Sequence, residues 1–129
     1  MRVLIVDDSP TMRRIIANTL KKLGYDDVVE AGDGTEGLDC IAQGQPNLIL
    51  TDWSMPYMDG CEFVRTLRTR AGMETIPVLM VTTHAERTHV MQALQAGVND
   101  YLVKPFTPDT LKEKIDALLG RPAICNSPS

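Results

Sequence analysis

Val3-Leu4-Ile5-Val6-Asp7-Asp8-Ser9-Pro10 stands at the start of the chain and decides the fold. Four aliphatic residues in unbroken succession read as a strand buried on both faces, because a strand with one wet face would alternate. Two aspartates end the run. Ser9-Pro10 then offers an N-cap followed by proline at the first helical position. Beyond it Met12, Ile15, Ile16, Leu20 and Leu23 share one helical face, and Gly24 provides a left-handed stop. The chain therefore opens as a strand, an acidic turn and an amphipathic helix.

The same unit recurs. Further apolar runs lie at residues 28–31, 48–51, 78–81 and 101–103, most of them continuous. Asp33-Gly34-Thr35-Glu36 and Asp59-Gly60-Cys61-Glu62 resemble capping boxes, which predicts helices presenting Leu38, Ile41 and Ala42, then Phe63, Val64 and Leu67. A fourth helix is expected over about 86–96 with Val90, Met91 and Leu94 inward. A fifth starts at Thr107-Pro108 and presents Leu111, Ile115, Leu118 and Leu119. Five strand–helix units with right-handed crossovers give an α/β fold, a doubly wound five-stranded parallel sheet with five helices. Residues 1–120 form the expected domain, and 121–129, polar and proline-containing, are expected to be a flexible tail.

Composition narrows the function. The 129 residues hold 13 Lys plus Arg against 17 Asp plus Glu, a net charge of −4, which argues against nucleic-acid binding. Cys40, Cys61 and Cys125, odd in number and widely spaced, form neither a disulfide framework nor a zinc pattern. Residues 3–6 are too short for an export signal, and no apolar run approaches the length that spans a bilayer. A cytoplasmic monomer without membrane partners is expected.

In open α/β sheets ligands collect at the carboxyl ends of the strands. Read at those ends, the chain offers Asp7-Asp8, Asp52, Thr82-Thr83 and Lys104-Pro105. Crowded carboxylates either protonate or recruit a cation. Oxygen ligands without His or Cys favour a hard ion, Mg²⁺ above all. Such an ion beside a lysine and a threonine hydroxyl suits the three oxygens of a phosphoryl group, leaving one aspartate as nucleophile. Taken singly, each residue has a plainer reading: an acidic cap, a surface lysine, a strand-end threonine. Their convergence at one sheet edge is what favours phosphoryl chemistry.

Val6-Asp7-Asp8-Ser9, Thr11-Met12-Arg13-Arg14-Ile15, Asp52-Trp53-Ser54-Met55-Pro56, Met58-Asp59-Gly60, residues 78–82 and residues 101–107 together resemble the receiver domain of two-component response regulators. Within that family they are most similar to the single-domain chemotaxis (CheY-like) class. The resemblance implies a flavodoxin-like receiver fold with strand order 2-1-3-4-5. It implies that Asp52 accepts phosphate from a histidine kinase, with Asp8, Asp52 and the backbone carbonyl of Ser54 on Mg²⁺ and Asp7 on a metal-bound water. Lys104 and Thr82 would contact phosphoryl oxygens, and Tyr101 would be the switch residue that turns inward. A cis Lys104–Pro105 bond is implied too. The implied partner face carries Ala85, Arg87, Tyr101 and Lys114, and the implied target is a flagellar motor switch protein. On this reading the protein is not an enzyme but a switch that gains and loses its own phosphoryl group.

Two positions depart from the chemotaxis class. Ser54 stands where Asn is usual, and His84 where an acidic residue is usual. Both flank the path of a hydrolytic water, so they bear on the lifetime of the phosphorylated state and on any phosphatase partner. Other functions fit less well. An aspartate-nucleophile phosphatase would need an acid at Ser9, and a nucleotide or flavin binder would need a Gly-rich or hydroxyl-rich loop after the first strand. A pseudo-receiver would lack Asp8, Asp52 or Lys104. Within the family, a stand-alone phosphorelay or cell-cycle receiver is the alternative to chemotaxis.

Overall fold

A computed structural model of the chain describes residues 1–70, 72–83 and 87–120, and only the backbone of 87–89. The elements run β1 (Arg2–Val6), α1 (Pro10–Lys22), β2 (Asp27–Ala31), α2 (Gly34–Gln43), β3 (Leu48–Thr51), α3 (Gly60–Arg68), β4 (Val78–Thr82), α4 (Arg87–Ala96), β5 (Asp100–Val103) and α5 (Pro108–Leu118). All strand pairs are parallel, in the order β2-β1-β3-β4-β5. The expected architecture is present. The expected tail 121–129 lies outside the described residues, as do His84 and Ala85. Among the described residues no helix is long and apolar enough to cross a membrane.

Alternation along each strand explains why the runs are continuous. Val3 and Ile5 of β1, Leu48 and Leu50 of β3, and Leu79 and Val81 of β4 pack with Ile16, Leu20, Leu111 and Ile115 of α1 and α5. Leu4, Val6, Ile49, Val78 and Met80 pack with Leu38 and Ile41 of α2, Phe63, Val64 and Leu67 of α3, and Ala93 and Ala96 of α4. Both faces are covered, so neither parity is free to be polar. The helix starts read from sequence hold: Ser9, Asp33, Asp59 and Thr107 each accept the expected backbone N–H.

The helical faces need correction. In α4 the inward residues are Ala93 and Ala96, with Val90 only partly covered and Met91 and Leu94 half exposed. Two small side chains let the helix approach the sheet closely, and that rotates the larger ones outward. Ile15 of α1 and Ala42 of α2 also face outward, displaced by Ala17 and by Gly37, whose missing side chain makes room for Phe63 and Val6.

At the amino edge of the sheet Arg68 acts as a clamp. Its Nη1 donates to the carbonyls of Ile76 at 2.7 Å and Met73 at 3.0 Å, and its Nη2 to Gly97 O at 2.8 Å and Asn99 Oδ1 at 2.9 Å. Burial pulls its guanidinium pKa below the usual value. No carboxylate pairs with it among the described residues; backbone carbonyls take the charge instead. Arg68→Met should destabilise the protein by about 3 kcal/mol in denaturant melts, since several acceptors lose a charged donor together. Arg68→Lys should recover less than half, because one ammonium cannot span both loops.

Candidate functional site

Asp7, Asp52 and Lys104 at the carboxyl edge each sit one position past their strand and keep one ladder bond. Asp7 N donates to Ala31 O at 3.1 Å, Asp52 N to Val6 O at 2.9 Å, and Lys104 N to Thr82 O at 2.9 Å. The sheet register itself thus sets the depth of these three side chains. The Lys104–Pro105 bond that follows is cis, as the family resemblance implies.

Lys104 joins the acids. Its Nζ lies 3.2 Å from Asp7 Oδ2 and 3.3 Å from Asp52 Oδ2, with side-chain exposures of 13%, 2% and 14%. Each aspartate spends its other oxygen on a backbone N–H, Asp7 Oδ1 on Ser9 at 2.9 Å and Asp52 Oδ1 on Trp53 at 2.7 Å. Asp8 is exposed beside them. One carboxylate oxygen from each of Asp7, Asp8 and Asp52 falls within 4.8 Å of the others. Opposed ligands of an octahedral Mg²⁺ stand about 4.2 Å apart, so this donor set fits that ion with small adjustments.

Burial raises the Asp52 pKa, and the charge of Asp7 adds to it; Lys104 and the Trp53 N–H pull the other way without cancelling it. The environment therefore disfavours ionised Asp52 in the absence of a second cation.

The loop after Asp52 is held against it. Gly60 N donates to Trp53 O at 2.8 Å, and a Cβ at Gly60 would collide with the Asp52 carbonyl oxygen. Asp59 caps α3 by accepting from Glu62 N at 2.9 Å. Ser54 is exposed in this loop.

Thr82 is buried at the end of β4. Tyr101, opposite Met80 in register, is one diagonal step from Thr82 on the same sheet face and half-buried. Lys114 Nζ stands 5.5 Å from the Tyr101 ring centroid and 3.1 Å from Asp100 Oδ2. Lys114, expected on the partner face, is part-exposed and engaged by these two neighbours. Arg87 lies in the first turn of α4. Sequence reading missed Arg13, whose Nη1 donates to the Asp7 carbonyl at 2.6 Å; its place one turn inside α1 was the available signal.

Residues 3–116 match the response regulator receiver domain family. Over 121 residues the chain is 50% identical to a chemotaxis protein CheY homolog of Campylobacter jejuni, covering 93% of each. It is 49% identical to chemotaxis protein CheY1 of Helicobacter pylori, over 93% of this chain and 98% of that one. Vibrio cholerae chemotaxis protein CheY4 superposes with a TM-score of 0.86 at 35% identity, over 91% of this chain and 97% of that one. The receiver domain of the Pseudomonas aeruginosa sensor histidine kinase PA1611, solved with magnesium coordinated in its active-site cleft, gives a TM-score of 0.85 at 30% identity, over 92% and 97%. The chain belongs to the response regulator receiver domain family of two-component systems. Its CheY-like relatives are signalling switches rather than classical enzymes.

Asp52→Asn should raise the melting temperature at neutral pH without divalent metal. The sign follows from the raised pKa: ionised Asp52 costs stability in full above its folded pKa, and the cost shrinks as pH falls below that value and is gone below the unfolded pKa. The gap between variant and wild type should therefore close in acid. Equal gaps at both pH values, or a less stable variant at neutral pH, would contradict the charge balance described.

Proposed function

We propose that the protein is a chemotaxis response regulator that takes a phosphoryl group onto Asp52 from a histidine kinase in a Mg²⁺-dependent reaction and passes the signal on by protein contact at the flagellar motor switch. The observation that carries this reading is the Lys104 ammonium spanning Asp7 and Asp52 within a three-carboxylate cluster. Asp8, Asp52 and the Ser54 carbonyl would hold Mg²⁺ directly, with Asp7 on one of its waters. When bound, the ion supplies charge neutralisation for the transferring phosphoryl group.

The chain's own residues do the rest. The Asp52 carboxylate forms the new P–O bond as the P–N bond to the donor imidazole breaks, the electron pair leaving with the imidazole nitrogen. Lys104 loses its hold on Asp52 and moves its donors to a phosphoryl oxygen, which keeps the charge paired throughout. The Thr82 hydroxyl, buried at the adjacent strand end, donates to another. Between α1 and the β5–α5 loop an apolar groove formed by Met12, Ile15 and Phe106 has Lys104 in its wall. That groove suits the approach of the donor protein and gives the outward Ile15 a use.

Output follows from Thr82. Drawn toward the phosphoryl group, it vacates space on the face it shares with Tyr101, and the ring turns in, leaving Lys114. The altered surface of α4, β5 and α5 about Tyr101 and Lys114 is the target face. On this reading residues 1–120 form one receiver domain.

Acetyl phosphate with Mg²⁺ should label the wild type and leave Asp52→Asn unlabelled. Asp8→Ala or chelation should abolish labelling as well. Undiminished labelling of Asp52→Asn would overturn the assignment. Thr82→Ala should still be labelled, yet its retention of a flagellar motor switch protein should rise less with beryllofluoride than that of the wild type. An equal rise would remove Thr82 from the switch.

A further inference from the structure

Arg13 is committed at both ends of the turn that carries Asp8. Its backbone N–H donates to Ser9 O at 3.0 Å, closing the first turn of α1, while its Nη1 donates to the Asp7 carbonyl at 2.6 Å. That carbonyl oxygen lies in the rigid peptide plane that also contains the Asp8 nitrogen. Holding the oxygen therefore sets the plane from which the Asp8 side chain projects. The remaining polar groups of Asp7 are held elsewhere: its N–H by Ala31, Oδ1 by Ser9 and Oδ2 by Lys104. Asp8 is exposed, so its placement depends on the backbone on either side of it.

The guanidinium is itself aimed. Glu30 in β2 places Oε1 3.3 Å from Arg13 Nε, and the arginine side chain is only 20% exposed. Beside it Gly32 N donates to Glu36 Oε1 at 3.0 Å, and a Cβ at Gly32 would stand 3.6 Å from Arg13 Nη1. Glu30 and the backbone at Gly32 thus flank the guanidinium whose Nη1 meets the Asp7 carbonyl.

We infer that Arg13 is a positioning residue: by pinning the Asp7–Asp8 peptide plane it presents the Asp8 carboxylate and sets the affinity of the acidic cluster for Mg²⁺. This rests on the proposed Mg²⁺ site. Two effects of Arg13 oppose each other. Its charge repels a dication, but the Glu30 carboxylate 3.3 Å from Nε offsets that repulsion. Its hydrogen bond organises a ligand, and groups that support metal ligands in this way set affinity by about 10–100-fold. Organisation wins, so removing the arginine weakens binding although it removes a positive charge.

Titrating the full chain with magnesium chloride while following Trp53 fluorescence tests this, since Trp53 is the sole tryptophan and its backbone N–H is bonded to Asp52. Arg13→Ala should raise the half-saturating concentration about tenfold. Arg13→Lys keeps the charge, but its single ammonium cannot serve Asp7 O and Glu30 together, so it should lie closer to Arg13→Ala than to wild type. Glu30→Gln, a surface change that leaves Arg13 in place but slackens its aim, should shift the titration the same way by less. Circular dichroism checks that each variant is folded. Arg13→Ala binding as tightly as wild type or tighter would overturn the inference, and so would full recovery in Arg13→Lys. A wild type without response, or one matched by Asp8→Ala, would instead overturn the metal site on which the inference rests.

Discussion

Because helices cover both faces of the sheet, a strand can present a charged side chain to the site only where it stops. Everything polar at the site follows from that restriction. Val6, Thr51 and Val103 are the last strand residues of β1, β3 and β5, and the next position in each case is Asp7, Asp52 or Lys104. A ladder bond still reaches each of them, which is why side chains from distant parts of the sequence meet to within about a hydrogen bond's length. A slip of one residue in any strand would turn its functional side chain from the edge into a helix-covered face. The packing of the core and the geometry of the site are therefore one constraint.

The electrostatics of that edge are left deliberately unbalanced by the residues present. One ammonium stands among three carboxylates, and the deficit falls on Asp52, whose pKa is raised by burial more than Lys104 can lower it. A second lysine would satisfy the acids and remove any need for a cation. On the proposed reading, a single one leaves a site that a dication would stabilise and that would then tolerate the added negative charge of a phosphoryl group, Lys104 exchanging one oxygen partner for another. The strong interactions at this edge are exchangeable, and the apolar ones beneath it are not.

Reading from sequence succeeded where the physics is local or periodic. Continuous runs such as residues 3–6 and 78–81 showed strands buried on both faces, and Ser9, Asp33, Asp59 and Thr107 capped helices as their types require. It failed where rotation of a helix is settled by what lies opposite. Met91 and Leu94 are the larger residues of α4, yet Ala93 and Ala96 face inward because small residues permit the closer approach. The carboxylates, Lys104 and Thr82 were legible because strand ends are. The local engagement of Lys114 with Asp100 and Tyr101 was not, nor was the reach of Arg13 to a backbone carbonyl, since neither has a sequence spacing that demands it.

Those two unforeseen contacts stand on opposite sides of the site and constrain it differently. Arg13 ties α1 to the Asp7–Asp8 turn through a charged hydrogen bond at 2.6 Å and to β2 through Glu30 at 3.3 Å. Lys114 holds the Tyr101 ring through a cation–π contact at 5.5 Å, and its partner Asp100 is part-exposed, so both interactions can be given up to water at small cost. The β1 side of the edge is thus rigid and the β4–β5 side is loosely held. On the proposed reading, a charge added at Asp52 would meet a firmer wall on the Arg13 side than on the Lys114 side, and the strain would pass to Thr82 and Tyr101 rather than to the acids that would hold the metal.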